Sequence, residues 1–240
     1  MNDFAAWSGL HRQLASGPQA VAVIGAGMVG CEIAEDLARA GHAVTLIGAG
    51  PLPLPELLPE PAARRLRSGL EGLGIRFLGG ATVSGLSQVA DGQVRISFAD
   101  AAPLAVAAVI AATGLATPSR LVRGAGLAFD RGIVVDPASL RTSAPGIYAL
   151  GDCVSLAGAP CRFIEPIARQ AEAIAHAILG RPHAGYAHAA PVIRLKTRSV
   201  PIVIHGRPVP GAPWQVIEES ESRLVMEQWR EGRLCARLAA

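Results

Sequence analysis

The sequence has few of the residues on which many catalytic sites depend. Charged residues make up 17% and aromatic residues 4% of the chain. The four cysteines include no Cys-x-x-Cys pair and no metal-ligand spacing, which excludes a redox-active disulfide of that type and predicts no metal site. No Ser-His-Asp set or pair of carboxylates indicates hydrolytic chemistry, and the histidines are scattered.

Long apolar runs are also missing. No run is long enough to cross a membrane, and the amino end shows no signal-peptide pattern, so the sequence predicts a cytoplasmic protein without a membrane partner. We expect no nucleic-acid partner either. Half of the residues are hydrophobic, which is enough for one large or two small domains with buried cores.

A glycine-rich motif follows the first predicted strand. Val21-Ala-Val-Ile24 runs into Gly25-Ala-Gly-Met-Val-Gly30, and a helix with one apolar face and a second strand follow. Strand, Gly-x-Gly-x-x-Gly, helix and strand in this order are typical of dinucleotide binding, whereas the glycines alone are a weak signal. We predict that Gly25 permits the tight turn, Gly27 lets the backbone approach a pyrophosphate and Gly30 allows close helix packing.

The end of the second strand bears on the choice of coenzyme. An acidic residue there normally binds the ribose hydroxyls of NAD, and an arginine suits NADP. This chain has Gly48-Ala-Gly50 after the strand at Ala43 to Ile47, with nothing basic in the next dozen residues. The sequence therefore favours NADH over NADPH.

The following segments complete a nucleotide-binding pattern. A proline-punctuated connection leads to a helix, a third parallel strand, a β-hairpin and a last buried strand. The connection is predicted at 51–59, the helix at 61–74 and the third strand at 75–78. The hairpin strands are predicted at 83–89 and 93–98, joined at Asp91-Gly92, and the last strand at 106–112.

A second motif is Gly146-Ile-Tyr-Ala-Leu-Gly-Asp-Cys153. Its apolar run, Ile147 to Leu150, predicts a short buried strand that delivers Gly151 and Asp152 to its carboxyl end. The carboxylate of Asp152 would hold a hydroxylated ligand, and Gly151 would let a backbone come close. Alternatively, Gly-Asp after a strand is ordinary turn chemistry.

The second motif lies in the longer stretch Thr142-Ser-Ala-Pro-Gly-Ile-Tyr-Ala-Leu-Gly-Asp-Cys153. Arg131-Gly-Ile-Val-Val-Asp136 precedes this stretch, and a helix predicted from about Pro166 to Leu179 follows it. Together they resemble the second flavin motif of the FAD- and NAD(P)-dependent pyridine nucleotide reductases. From about residue 2 to 235 the chain is similar in order and spacing to the rubredoxin–NAD reductases, which pass electrons from NADH through FAD to a small iron protein.

This resemblance implies roles for individual residues. Asp152 would hold the ribityl chain of FAD, and Glu32 would lie near the nicotinamide ring. Gly114 belongs to Thr113-Gly-Leu-Ala-Thr-Pro118, which resembles the segment where the family's chain crosses back to the flavin domain. For Glu32 the alternative is a solvent-facing glutamate in a first helical turn, favoured by the helix dipole.

The region from Arg181 to Ile217 contains no acidic residue. A positively charged surface formed by this region would attract an acidic electron carrier. Alternatively, the charges belong to a solvated edge strand and prevent it from pairing with other chains. Its five basic residues are Arg181, Arg194, Lys196, Arg198 and Arg207. Lys196 is the only lysine, which hints at a site that needs a compact ammonium group, but chance also accounts for it. A terminal hairpin turning at Glu231-Gly232 is predicted beyond this region.

We therefore predict an α/β protein with a connecting segment (1–19), a Rossmann-like NAD-binding domain built on a parallel sheet with an antiparallel excursion (20–113), the C-terminal part of an FAD-binding domain (114–185) and a small α+β segment (186–240) that docks an electron carrier. The resemblance implies the cofactors FAD and NAD.

Reductases of this family open with a separate glycine-rich domain for the ADP half of FAD, and this chain has one such motif. We expect a fragment that retains nucleotide affinity but little flavin. The predicted function is NADH oxidation through FAD with reduction of rubredoxin or a similar small redox protein. The alternative is a catalytically silent NAD-binding module, or a subunit that needs a separate FAD-binding chain.

Overall fold

The computed structural model describes residues 3–89, 92–189 and 192–240. Asp91 of the predicted hairpin turn lies outside these described residues. The chain divides into two compact units, the first formed by Met1–Gly114 with Val192–Ala240 and the second by Leu115–Pro191. Within the described ranges, no helix is both long and apolar enough to cross a bilayer.

The amino-terminal part of the first unit has the predicted alternation of strands and helices. Its elements are α1 (Phe4–Leu14), β1 (Ala20–Ile24), α2 (Met28–Arg39), β2 (Ala43–Gly48), α3 (Glu60–Glu71), β3 (Arg76–Gly79), β4 (Val83–Gln88), β5 (Val94–Phe98), β6 (Leu104–Val106) and β7 (Ala108–Ala111). A parallel sheet in the order β3-β2-β1-β7 lies at its centre. The middle of β1 is fully buried, as expected for a strand covered on both faces.

The last strand of this domain was predicted as one run from Val106 to Ala112. A strand within this run is confirmed as β7, but Val106 belongs to β6, so the predicted bounds were too wide. The chain instead forms β6, which pairs antiparallel with β5, and then β7, which pairs parallel with β1. The change occurs at Ala107, whose N–H donates to the carbonyl of Ala20 at 2.8 Å. A continuous apolar stretch gives no signal of such a switch, because both halves are strands with buried side chains.

The second unit has a core of its own. Its elements are α4 (Arg120–Gly124), β8 (Ile133–Val134), β9 (Val154–Leu156), β10 (Ala159–Pro160) and α5 (Ile167–Ile178). Strand β9 lies between β8 and β10, and the apolar side of α5 contributes Ala173 and Ile174 to the core. The helix predicted from Pro166 to Leu179 is thereby confirmed.

The strand predicted at Ile147 to Leu150 is not present. Tyr148 makes a single bridge with Arg141, and Ile147 is 43% exposed. A tight loop ties this stretch to the preceding residues, since the N–H of Thr142 donates to the carbonyl of Ile147 at 2.9 Å. Gly151–Cys153 then forms one turn of 3-10 helix that leads into β9.

The carboxyl-terminal part of the first unit is an antiparallel sheet of five strands. They are β11 (Ile193–Leu195), β12 (Ile202–Gly206), β13 (Trp214–Glu219), β14 (Leu224–Arg230) and β15 (Arg233–Ala239). Their order in the sheet is β11-β12-β15-β14-β13. The hairpin turn at Glu231-Gly232 is confirmed. We expected helix as well as strand here, whereas the described residues from 192 onward form strands and their connecting loops without a helix. Leu195, Ile202 and Leu238 share one core with Leu46 and Leu66 of the nucleotide-binding part.

Candidate functional site

The glycine motif forms a compact turn at the carboxyl end of β1. Gly25 has a φ of +110°, and its N–H donates to the carbonyl of Ile47 at 2.8 Å. A Cβ on Gly25 would overlap the carbonyl oxygen of Ala112, and a Cβ on Gly30 would overlap the carbonyl oxygen of Gly25. The first turn of α2 and the end of β7 therefore approach this loop too closely for any side chain at either position.

Gly27 has a different environment. Its φ of −80° suits any residue, and a Cβ placed there would meet no heavy atom within 4 Å. Gly27 is the N-cap of α2, and no side chain caps the helix. Free N–H groups at a helix start with open space beside them are well suited to phosphate oxygens.

Gly114 follows β7 on the same edge of the parallel sheet. The ends of β1 and β7 are adjacent there, because Ile24 pairs with Ala111 and its carbonyl accepts the N–H of Ala112 at 2.7 Å. The segment that the sequence assigned to a crossover between domains thus begins beside the glycine loop. That Gly114 contacts a cofactor stays a prediction.

Packing explains why no acidic residue ends β2. A Cβ on Gly48 would lie 3.0 Å from the methyl carbon of Ala26 and 3.3 Å from the ring of Phe77. The guanidinium of Arg67 lies 5.4 Å from the centre of that ring, but Glu71 compensates its charge at 2.9 Å. The space for a ribose-binding carboxylate is therefore filled, and the neighbouring cation is already paired.

Glu32 and Lys196 are brought together although they are 164 positions apart. The backbone N–H of Lys196 donates to the carboxylate of Glu32 at 2.8 Å. Lys196 begins the loop between β11 and β12, and its side chain is exposed. Glu32 is accordingly tied to a second element, which differs from the solvent-facing alternative. Its position relative to a nicotinamide ring stays a prediction.

Glu35, which sequence reasoning missed, has the most buried carboxylate of α2, and 1% of the residue is exposed. Its oxygens accept hydrogen bonds from the guanidinium of Arg39 at 2.7 Å, from the backbone N–H groups of Arg198 and Ser199 at 3.0 Å each, and from the hydroxyl of Ser199 at 2.8 Å. Burial alone would raise the pKa of Glu35, but the bonds from Ser199, Arg39 and Arg198 together lower it below the usual value.

This lowered pKa predicts a loss of stability in acid. A carboxylate whose pKa is lower in the folded than in the unfolded chain stabilises the fold above its unfolded pKa, and this contribution is lost as the pH falls through the folded pKa. Glu35→Gln should lower the free energy of unfolding by about 2 kcal/mol at pH 7, because buried donors lose a charged acceptor. The difference from the wild type should shrink below about pH 4.5, the ordinary value for glutamate, as urea unfolding at several pH values would measure.

An exposed ion pair provides the control for this prediction. Glu71 pairs with Arg67 on α3, and its side chain is 40% exposed. Glu71→Gln should therefore change the free energy of unfolding by less than about 1 kcal/mol, both at pH 7 and below about pH 4.5. A pH-independent cost for Glu35→Gln would show that the ionised form of Glu35 contributes nothing to stability.

Cys31 follows the glycine loop but is not a reactive thiol. Burial, and secondarily the charge of Glu32, raises the pKa of Cys31 to about 12. The residue is fully buried in the core that α2 shares with the parallel sheet. Cys31 therefore stays protonated at neutral pH and packs as a small apolar side chain.

The second motif places an exposed carboxylate on a firmly held turn. Gly151 has a φ of +73°, and its buried N–H donates to the side-chain oxygen of Gln170 at 2.8 Å. Gln170 lies on α5 and has no exposed surface. Asp152 is exposed, and its carboxylate makes no hydrogen bond or ion pair with any residue that the structure describes. This turn fits a ligand with hydroxyl groups, because Gln170 anchors the backbone next to Asp152 and the lone pairs of the carboxylate are free.

Gln170 was missed in the sequence although a signal existed. It occupies a position between Ile167 and Ile174 on the apolar side of a helix that comes soon after Gly151-Asp152. A polar side chain buried at such a position needs a partner, and the nearby motif offered one.

Comparison with known proteins agrees with this architecture. The family model described as pyridine nucleotide-disulphide oxidoreductase matches residues 8–179. A nitric oxide reductase FlRd-NAD(+) reductase of Citrobacter koseri is 37% identical over 219 residues, which cover 91% of this chain and 57% of that protein. A protein of the same name from Klebsiella pneumoniae strain 342 is 38% identical over 187 residues, 78% of this chain and 48% of that protein. The chain thus spans about half the length of these curated relatives.

Solved structures share the fold. The match to the covalent putidaredoxin reductase–putidaredoxin complex has a TM-score of 0.86 at 24% identity. It covers 100% of this chain and 58% of the matched chain of that complex. An FAD-dependent pyridine nucleotide-disulphide oxidoreductase from Desulfovibrio vulgaris has a TM-score of 0.79 at 23% identity and covers 96% of this chain and 62% of that chain. These likenesses confirm the predicted fold class. The family inferred from the two motifs is confirmed as well, and the chain belongs to the pyridine nucleotide-disulphide oxidoreductases.

Proposed function

We propose that this protein is an NADH-dependent flavoprotein reductase, or part of one, that passes electrons from NADH through FAD to a small electron-carrier protein. The observation that carries the proposal is the glycine loop at the start of α2, which is closely packed at Gly25 and Gly30 but open at Gly27. Relatives named as NAD(+) reductases support the same direction.

In the proposed role, residues 20–113 bind NADH. The pyrophosphate accepts hydrogen bonds from the uncapped N–H groups of α2 beside Gly27. Glu32 lies at the nicotinamide end, oriented by the N–H of Lys196. NADH is the preferred coenzyme, because a 2′-phosphate would approach Arg67 only in competition with Glu71.

Residues 114–185 supply the returning part of an FAD-binding domain. Asp152 accepts hydrogen bonds from the hydroxyls of the ribityl chain, and Gln170 holds the turn that presents this carboxylate. When bound, FAD supplies the chemistry that joins a two-electron donor to a one-electron carrier. The chain's own residues bind and orient the two cofactors.

The carrier is proposed to be rubredoxin or a similar protein with an acidic surface. Arg194, Lys196, Arg198 and Arg207 are exposed on the segment 186–240, to which we assign docking. Opposite charge raises the association rate more than the affinity, so reduction of the carrier would slow as the salt concentration rises.

Cofactor titration tests the proposed function. We expect the purified chain to bind NADH, and to reduce rubredoxin when NADH and FAD are supplied together with the FAD-binding portion of a longer relative. Asp152→Ala should weaken FAD binding about tenfold, since a hydrogen bond to a charged group contributes roughly 1.5–3 kcal/mol. Fluorescence titration with FAD and with NADH would measure both affinities.

Glu172 provides the matched control, because it is an exposed acidic residue on α5. Glu172→Gln should bind FAD and NADH as the wild type does. A wild-type chain that fails to bind NADH would contradict the proposed function, and equal FAD affinity in the wild type and Asp152→Ala would remove Asp152 from the flavin site.

A further inference from the structure

We infer that Glu35 is a positioning residue for the nicotinamide end of the NADH site. It holds the loop Lys196–Val200 against α2, and this loop in turn fixes the carboxylate of Glu32. The inference rests on the proposed function, because it assigns Glu35 a task in nucleotide binding beyond stabilising the fold.

Glu35 is hydrogen-bonded to the loop at several points. One carboxylate accepts the N–H groups of two consecutive residues, Arg198 and Ser199, and also the hydroxyl of Ser199. Arg39 on the next turn of α2 pairs with the same carboxylate at 2.7 Å and compensates its charge. A buried carboxylate with this many donors is held in one orientation, and it holds its donors equally.

The loop has further anchors besides Glu35, which couple its residues to one another. Thr197 is buried, and its hydroxyl donates to the carbonyl of Val200 at 2.6 Å. Val200 packs on α3 at Gly69, where a Cβ would lie 2.5 Å from a methyl carbon of Val200. The loop tip therefore packs between α2 and α3, and Glu35 accepts most of the hydrogen bonds that the loop donates to α2.

The same loop also contacts Glu32. Glu32 and Glu35 are one helical turn apart on α2 and bind the same loop, Glu32 through the N–H of Lys196 at 2.8 Å. If Glu35 lost its charge, the N–H groups of Arg198 and Ser199 would lack a strong acceptor and the loop would relax. The N–H of Lys196 would move with it, and the carboxylate of Glu32 would lose its fixed orientation.

Two ligands separate this role from a purely structural one. NADH spans the whole site, whereas ADP-ribose carries the pyrophosphate and the adenosine but lacks the nicotinamide. We expect Glu35→Gln to weaken NADH binding about fivefold to tenfold, in line with the loss of a hydrogen bond to a charged group, and to change ADP-ribose binding by less than about twofold. Calorimetric titration of the full chain with each ligand would measure the two ratios.

Ser199→Ala is the second variant, because it removes one hydroxyl donor and keeps both N–H groups. It should shift the NADH to ADP-ribose affinity ratio in the same direction by about twofold to threefold, and it decides the question if Glu35→Gln fails to fold. Glu60→Gln, an exposed control on α3 whose side chain pairs with Arg64, should leave the ratio unchanged.

The outcomes are distinct. A ratio that falls in Glu35→Gln and Ser199→Ala but not in Glu60→Gln supports the inference. Equal weakening of both ligands, or no change in either, overturns it and leaves the proposed function standing. A wild-type chain that binds neither ligand overturns both.

Discussion

Gly27→Ala is expected to reduce NADH affinity by at least about tenfold while leaving the stability of the chain almost unchanged. The added methyl group meets no protein atom within 4 Å, so it points into the space that we assign to the pyrophosphate. Blocking even one N–H to phosphate hydrogen bond removes roughly 1.5–3 kcal/mol of binding free energy. Alanine is a slightly poorer N-cap than glycine, and it also restricts the unfolded chain, so these two effects of about 0.5 kcal/mol each largely cancel.

Gly30→Ala is the matched comparison, because the same methyl group there overlaps the carbonyl oxygen of Gly25. The backbone must shift, and we expect a loss of about 3 kcal/mol of stability or more, seen as a fall of roughly 6–12 °C in the melting temperature. Thermal unfolding and NADH titration of both variants test the pair. Normal NADH binding by a stable Gly27→Ala variant would rule out a pyrophosphate at this loop.

The glycine loop could be predicted because its determinants are local. A buried strand, three glycines at fixed spacing and an amphipathic helix are adjacent in the sequence, and each constrains the next. The same holds for α5 and for the hairpin turn at Glu231-Gly232. In each case the residues that define the element are neighbours in the sequence.

The bounds of one predicted strand and the existence of another were wrong, because pairing partners are not encoded locally. The run from Val106 to Ala112 contains parts of two different sheets, and the run from Ile147 to Leu150 has only one bridging partner. Apolar composition predicted burial in both runs. It carried no information on which neighbouring strand each residue would meet.

The polar contacts of the candidate site were the hardest to predict. Glu35 and Ser199 are 164 positions apart in the sequence, so no local pattern links them. Glu32 contacts the backbone of Lys196, and a backbone contact leaves no side-chain pattern that would identify it. The single lysine drew attention to Lys196 for its ammonium group. In the folded chain its N–H makes the contact with Glu32, and a different residue at this position would keep that N–H.

Gln170→Leu is expected to destabilise the turn that carries Asp152. Leucine fills most of the volume of glutamine but cannot accept the N–H of Gly151, which is buried and bonded to the Gln170 side chain at 2.8 Å. An unsatisfied buried N–H costs about 1–3 kcal/mol. We therefore expect amide hydrogen exchange at Gly151 and its neighbours to accelerate by about thirtyfold, the factor that corresponds to about 2 kcal/mol.

Hydrogen exchange measured by mass spectrometry on a peptide covering residues 145–160 would test this expectation. Glu172→Gln on the same helix is again the control, because its exposed side chain can change without affecting the turn. FAD affinity should fall in Gln170→Leu, since Asp152 would no longer be presented in one position, whereas NADH affinity should stay the same because its residues belong to the other unit. Exchange rates that match those of Glu172→Gln would mean that the turn keeps its conformation without Gln170.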